Sequence, residues 1–113
     1  MAQRSSLDKG IGARGPAAAF LILSSLADGE KHGYALTKDI EQFADVRLAP
    51  GTLYEALSRL ESQGLIEAVA TPDRRRPYRL SAAGAAALHS HVREQERFVK
   101  ESRERLRRNW RLA

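Results

Sequence analysis

Apolar residues recur at helical spacing over much of the chain, and this periodicity predicts a mainly helical protein. The run from Ala17 to Leu26 is apolar on nearly all sides. Such a run is typical of a helix buried as core, or as core together with a subunit contact. A second helix is predicted from about Tyr34 to Phe43, with Leu36, Ile40 and Phe43 on its inner face.

The third predicted helix has a marked start and a marked end. Pro50 suits a first helical position, and Gly64 suits the residue just past the end, where φ turns positive. The apolar stripe of this helix consists of Leu53, Ala56, Leu57 and Leu60. The opposite face carries Gly51, Tyr54, Glu55, Ser58 and Ser62. Because only residues 44–48 separate it from the second helix, the two form a helix–turn–helix with one face open to a partner.

A small hairpin is predicted after the third helix. Residues 65–70 are strand-like, and Tyr78–Leu80 is a plausible partner strand. Pro72 and Pro77 stop either strand from extending into the loop between them, so the loop displays three basic side chains at its tip. They are Arg74, Arg75 and Arg76. Two strands with a basic tip form the wing of a winged helix–turn–helix.

Ser81 can cap a last helix that runs from about Ala82 towards the C-terminus. About 30 residues make a rod on the order of 45 Å, which must project from so small a domain. Its apolar seam alternates by four and three residues with polar interruptions, which favours packing partly on its own domain and partly on a second subunit. We therefore predict a two-fold dimer. The predicted interface residues are Phe20, Leu88, Val92, Gln95, Phe98, Val99, Leu106 and Trp110.

These elements divide the chain of 113 residues into three segments around one modest core. We expect a flexible basic arm at 1–15, a winged-helix domain at 16–81 and a dimerisation helix at 82–113. The fold class is mainly α with a small β-hairpin wing: a winged helix–turn–helix plus one long C-terminal helix.

The charge balance favours an anionic partner without proving one. Lys and Arg number 19 against 14 Asp and Glu, which gives a net charge of +5. The chain has no cysteine, so we expect neither a disulfide framework nor a thiolate metal site, as in a reducing cytoplasm. The longest apolar run, Ala17 to Leu23, is too short for a bilayer that needs about 20 such residues. We expect a cytoplasmic protein.

Several exposed side chains are candidates for DNA binding. Thr52, Tyr54 and Ser58 lie at the front and outer side of the third helix, where helix–turn–helix proteins place base-contacting residues. An ordinary solvated face is the alternative, and the basic wing nearby favours DNA. Glu55 either accepts a hydrogen bond from a cytosine amino group or repels phosphate. Lys38 faces away from the core side of its helix and is a candidate phosphate clamp.

The three wing arginines have the chemistry to bind phosphate or to enter a narrow minor groove. A solvated charge run is the alternative, but their place at a turn tip favours DNA. The histidines do not form a site: His89 and His91 point to different sides of a helix, and His32 is expected to order the turn before the second helix. No catalytic motif is present, so we predict no enzyme, no cofactor and no metal.

The chain resembles the PadR family of bacterial transcriptional regulators over roughly residues 17–88. The shared motifs are His32-Gly33-Tyr34, Pro50-Gly51-Thr52-Leu53-Tyr54, Ala56-Leu57, Arg59-Leu60-Glu61, Gly64-Leu65-Ile66, the Arg-rich wing, Tyr78-Arg79-Leu80 and Gly84. The resemblance implies a dimeric winged-helix repressor of the short subfamily, with a single C-terminal helix as the dimer contact. The sequence departs from the family pattern at two positions. Ala49 stands where the family usually has a Ser cap, and Glu55 stands where many members have Pro.

The resemblance also implies roles for single residues. Tyr78 and Arg79 at the wing base are both candidates for DNA binding. Tyr78 would reach the DNA backbone, although one of the two must also pack on the sheet. Tyr34 would contact the backbone or pack half-buried. Apart from the resemblance, the Thr52 hydroxyl lies in the first turn of the third helix, and we expect it to compensate in part for the missing cap at Ala49. Some family members bind planar aromatic compounds at the dimer interface. Phe98 and Trp110 either line such a site or serve packing alone.

From sequence we therefore predict a dimeric, sequence-specific DNA-binding regulator, in particular a repressor, that binds a two-fold symmetric operator. The alternative is a winged-helix adaptor that uses the same outer face for protein contacts without sequence-specific DNA binding.

Overall fold

The elements along the chain follow the order of a winged helix–turn–helix. The computed structural model describes residues 15–72 and 76–111. The elements are α1 (Gly15–Ala27), α2 (Gly33–Ala44), α3 (Pro50–Ser62), β1 (Ile66–Ala68), β2 (Tyr78–Leu80) and α4 (Ala82–Asn109). The mainly helical architecture and the small hairpin confirm the predicted fold class. Residues 1–14 of the predicted basic arm lie outside the described residues.

The core forms where α1, α2 and α3 meet the first strand. Ile22 and Leu23 from α1, Leu36 and Ile40 from α2, and Ile66 from β1 are all fully buried. The four stripe residues predicted for α3 are also buried there: Leu53, Ala56, Leu57 and Leu60. Burial of each large aliphatic side chain contributes about 1.5–3 kcal/mol relative to exposure. This burial fixes which face of α3 points outward.

The prediction that Phe43 lies on the inner face of α2 is wrong. Phe43 is 50% exposed, whereas Ala44 is partly buried against the core. Positions three and four residues after Ile40 both lie near the inner face of a helix, so periodicity alone does not choose between them. The chain then leaves the helix through Asp45 in the left-handed conformation, φ 55°, and Leu48 fills the core instead.

The first strand of the wing is shorter than predicted. Strands β1 and β2 pair antiparallel with Ile66 opposite Leu80 and Ala68 opposite Tyr78, so the first strand covers three of the six predicted residues. One more hydrogen bond, from Val69 N to Pro77 O at 2.8 Å, extends the ladder. Lys31, from the turn between α1 and α2, exchanges backbone hydrogen bonds of 3.1 and 2.9 Å with Tyr78. The wing base is therefore attached directly to the helical domain.

Helix α4 begins on the domain and then leaves it. The Ser81 hydroxyl accepts from Gly84 N at 3.0 Å, which confirms the predicted cap, and donates to Gly64 O at 2.7 Å. Gly84 is buried so closely that an added Cβ would collide with the backbone oxygen of Leu65. Leu88 still packs against the core. Since 28 residues of helix are about 42 Å long, most of α4 projects beyond the core.

Candidate nucleic-acid interface

Helix α3 is held by its buried stripe, and its two ends are defined by the backbone conformations of Ala49 and Gly64. Ala49 occupies the N-cap position with extended backbone and no side-chain cap hydrogen bond, as the sequence predicts. The expected compensation by Thr52 is not seen, because its half-buried hydroxyl makes no hydrogen bond within the described part of the chain. At the other end Gly64 has φ +77°, the left-handed conformation predicted for it.

The outward face of α3 carries the predicted reading residues. Tyr54 is 56% exposed, and Glu55 and Ser58 are exposed as well. The Tyr54 phenol lies over the start of α2: a Cβ added to Gly33 would be 2.7 Å from the phenol oxygen. The glycine of the His32-Gly33-Tyr34 motif thus leaves room for a residue of the third helix.

Glu55 does not stand alone on this face. Its carboxylate Oε1 lies 3.0 Å from Nη2 of Arg59, one helical turn further on. Arg59 is exposed and was not among the residues predicted to bind DNA. The sequence does contain the signal, since Glu and Arg four residues apart in this order pair on a helix surface.

Helix α2 contributes two side chains beside α3. Tyr34 is 75% exposed, which rules out the half-buried packing role. The Lys38 ammonium lies 5.8 Å from the centroid of the Tyr34 ring, at the range of a weak cation–π contact. The two side chains therefore form one exposed group of a cation and an aromatic ring. His32, at the N-cap of α2, makes no side-chain capping bond; its backbone oxygen accepts from Leu36 N.

Arg76 is the wing arginine that the structure describes, and its side chain is exposed. Arg74 and Arg75 lie outside the described residues. At the wing base Arg79 donates to Glu67 on the opposite strand at 2.9 Å. This hydrogen bond and the charge of Glu67 raise the pKa of Arg79. The charge of Arg79, which the sequence predicts to bind DNA, is therefore already matched by Glu67 within the chain.

Tyr78 is the residue of the wing base that packs on the domain. It is half-buried and lies against the hydrophobic core. Burial raises the pKa of the Tyr78 phenol above 10.0, and the charges of Glu61 and Tyr54 add to the effect. One of Tyr78 and Arg79 was expected to pack on the sheet, and the structure assigns that role to Tyr78.

A polar cluster that sequence reasoning missed joins α1, α2 and the turn between them. The buried Ser25 hydroxyl donates to Asp39 Oδ2 at 2.6 Å. The Lys31 ammonium donates to the Ser25 carbonyl oxygen and lies 4.0 Å from the same carboxylate. Since the Lys31 backbone pairs with β2, this cluster also sets where the wing begins. No local pattern signals it, because its members come from separate elements.

The exposed part of α4 carries an apolar surface. Its exposed apolar residues are Val92, Phe98, Val99 and Leu106, and the exposed Trp110 follows directly after its last residue. Gln95 is exposed as well. Leu88 is half-buried, and Phe20 stacks on His91 with ring centroids 3.7 Å apart and planes 2° apart. Phe20 therefore has one ring face covered within its own chain. In residues 15–72 and 76–111, no helix is long and apolar enough to cross a membrane.

The helix–turn–helix with an attached wing defines the class: a winged-helix transcriptional regulator. The model of the transcriptional regulator PadR-like family matches residues 22–90, more than half of the chain. The chain belongs to this family. Members of the family are regulators and not enzymes, which agrees with the prediction made from the motifs.

Two sequence relatives show the extent of the match. The transcriptional regulator Rv3488 of Mycobacterium tuberculosis is 41% identical over 83 residues, which cover 71% of this chain and 77% of that protein. An uncharacterised 37.1 kDa protein in transposon Tn4556 of Streptomyces fradiae is 42% identical over 81 residues. Those residues cover 72% of this chain but 24% of that protein, so the chain spans about a quarter of that relative's length.

Solved structures share the fold. A transcriptional regulator from Clostridium thermocellum superposes with a TM-score of 0.68 at 30% identity, over 76% of this chain and 86% of that one. A PadR family transcription regulator from Clostridium difficile R20291 gives a TM-score of 0.64 at 30% identity, over 78% and 95% of the two chains.

Proposed function

We propose that this PadR-family regulator is a dimeric, sequence-specific DNA-binding repressor in which α3 reads the major groove. The observation that carries the proposal is the geometry of α3. Four buried side chains fix its inner face, and the opposite face presents Tyr54, Glu55 and Ser58 to solvent. A major groove is wide enough to admit such a helix, and hydroxyl and carboxylate groups can hydrogen-bond to base edges.

The groups around α3 would hold the DNA backbone. Lys38 and Tyr34 lie on the neighbouring helix, and the wing would bring Arg74, Arg75 and Arg76 to phosphates or to the minor groove. Tyr78 would reach the backbone from the wing base. We give Arg79 a smaller share, because its guanidinium is already paired with Glu67.

A second copy of the chain would cover α4. A helix about 42 Å long with apolar residues exposed along its projecting part needs a partner along its length. In a two-fold dimer both α3 helices would enter successive major grooves, about one helical turn apart. The operator would then be two-fold symmetric, with α4 as the dimerisation helix, the winged-helix domain at 16–81 and residues 1–15 as an arm.

Regulation of such a dimer would act through α4. A planar aromatic effector bound near Phe98 and Trp110 would change the angle between the two DNA-binding units; without an effector, these two residues serve packing alone. We place the protein in the cytoplasm, where its DNA target is found. The second candidate function is a protein–protein adaptor, which the apolar exposed residue Phe43 at the end of α2 favours.

Fluorescence polarisation at several salt concentrations separates the two functions. The probes are a duplex from the gene's own upstream region and a random duplex of equal length. A repressor should prefer the upstream duplex and lose affinity steeply as salt rises, because each contacted phosphate adds about 0.9 to the logarithmic slope. Equal affinities without a salt slope would exclude the repressor and support the adaptor.

A further inference from the structure

Helix α3 bears an exposed ion pair on the side that is proposed to read DNA. Glu55 and Arg59 are both exposed, at 74% and 54% of their side chains, and their nearest N and O atoms are 3.0 Å apart. An unpaired carboxylate at this place would repel phosphate. Because Arg59 lies beside it, the pair is neutral as a whole, and the face keeps both a hydrogen-bond acceptor and a forked donor.

The direction of the pair matters for where the guanidinium lies. Side chains on a helix lean towards its N-terminus. Arg59 follows that direction, since its guanidinium reaches back one turn to Glu55. The N-terminal turns of a recognition helix are the part that contacts base edges. If α3 enters the major groove as proposed, Glu55 would hold the Arg59 guanidinium near the bases, although the Cα of Arg59 lies in the third turn.

The Glu55–Arg59 pair is weak enough for Arg59 to exchange Glu55 for a partner on DNA. Exposed ion pairs of this spacing are weak because both groups stay solvated. A guanidinium that donates two parallel hydrogen bonds to O6 and N7 of guanine makes the commonest specific contact in the major groove. Leaving Glu55 for guanine therefore costs Arg59 little. A phosphate contact is opposed in another way, because it would bring the Glu55 carboxylate close to the negatively charged DNA backbone.

We propose that Arg59 is a specificity-determining residue that reads guanine, and that Glu55 positions it and restrains it from unspecific phosphate contacts. The inference rests on the proposed DNA-binding function and assigns one base-reading contact within it. Other ion pairs of the described residues lie away from the exposed face of α3. One of them, Glu101–Arg105 on α4, has the same four-residue spacing, with 3.8 Å between charged atoms.

The test uses duplexes that the wild-type protein selects from a randomised pool. In a matched set, each G·C pair of the selected sequence is replaced in turn by A·T, and binding of the full chain is measured by polarisation. Arg59→Lys keeps the charge but not the fork. It should bind scrambled duplex as before and lose discrimination at one G·C position of each half-site by about tenfold or more.

Glu55→Gln releases Arg59 and removes the acid. This variant should bind scrambled duplex several-fold more tightly and steepen the salt slope by about 0.9, the contribution of one added phosphate contact. The matched controls Glu101→Gln and Arg105→Ala break a pair of equal spacing on α4 and should change neither quantity.

The outcomes separate this inference from the proposed function. If the wild type selects no sequence from the pool, the DNA-binding function itself fails. If the wild type selects a sequence and Arg59→Lys discriminates like it at every position, Arg59 is not a reader and the inference alone is overturned. The same holds if Glu55→Gln removes the discrimination and Arg59→Lys does not, since Glu55 would then read cytosine by itself.

Discussion

At the scale of single residues, Gly33 and Tyr54 meet across the angle between α2 and α3. The phenol of Tyr54 fits over the helix start because Gly33 has no Cβ. The contact explains why a glycine stands at a helical position where it is a poor helix former. It also sets the direction in which the tyrosine leaves α3.

We therefore expect Gly33→Ala to disturb DNA recognition more than folding. The new Cβ would lie 2.7 Å from the phenol oxygen, so the flexible ring must move away. The free energy of unfolding, measured in urea, should change by less than about 1 kcal/mol. Discrimination between selected and scrambled duplex should fall by roughly tenfold, the scale of one lost base contact. In a Tyr54→Phe background the same change should have a smaller effect; an equal effect would contradict the contact.

Tyr78 makes a second prediction at this scale. Its pKa is raised, chiefly by burial, so the folded state holds the phenol proton more tightly than the unfolded state does. Stability is therefore unaffected below about pH 10 and falls as pH rises above it, because the unfolded chain ionises first. Urea unfolding across this alkaline range should show the fall. Tyr78→Phe should reduce it, while Tyr34→Phe, which changes an exposed ring, should leave it unchanged.

At the scale of elements, the proposed function gives α3 and the wing different tasks. Helix α3 presents mixed donors and acceptors in a fixed direction, whereas the wing carries the exposed Arg76 beside a short hairpin. The hairpin is attached to the domain by the backbone pairing between Lys31 and Tyr78. The Ser25–Asp39–Lys31 cluster fixes the turn between α1 and α2, which contains Lys31, on these two helices.

Replacing Arg74, Arg75 and Arg76 together by Ala should thus weaken binding to every duplex alike. The logarithmic salt slope should flatten by about 0.9 for each phosphate contact that is lost. Tyr54→Ala should instead reduce the ratio of affinities for selected and scrambled duplex. Polarisation titrations at several salt concentrations measure both quantities. If both variants lost the same affinity for selected and for scrambled duplex, this division of tasks would be refuted.

At the scale of the whole molecule, α4 determines the shape. The longest dimension is 58 Å, and Leu88 is the last residue of α4 that packs against the hydrophobic core within the described part of the chain. Its first turns are tied to the domain at Gly84 and through the stack of Phe20 on His91. If a second subunit binds the projecting part of α4, a change in the position of α4 would therefore be transmitted to the helical domain.

Truncation after Leu88 should leave a folded domain that sediments as a monomer, because the residues that contact the core are retained. Within the full chain, Val99→Glu should weaken the proposed dimer. Arg97→Glu, on the other side of the same helix, should not. Analytical ultracentrifugation measures all three. A truncated chain that still dimerises would place the main interface on α1, around Phe20.

The sequence by itself determined the helices, the caps at Ser81 and Gly64, the buried stripe of α3 and the pairing of the two strands. These features depend on periodicity and on the backbone preferences of single residues, which are local. It also contained the spacing of Glu55 and Arg59, although their pairing was not inferred.

Only the tertiary structure decided the rest. It placed Ala44 and not Phe43 against the core, gave Gly33 its neighbour Tyr54, and paired Arg79 with Glu67. Each of these outcomes depends on contacts between separate elements. Side-chain spacing along one helix or strand leaves two or more faces and partners open, and the choice is made when the elements pack together.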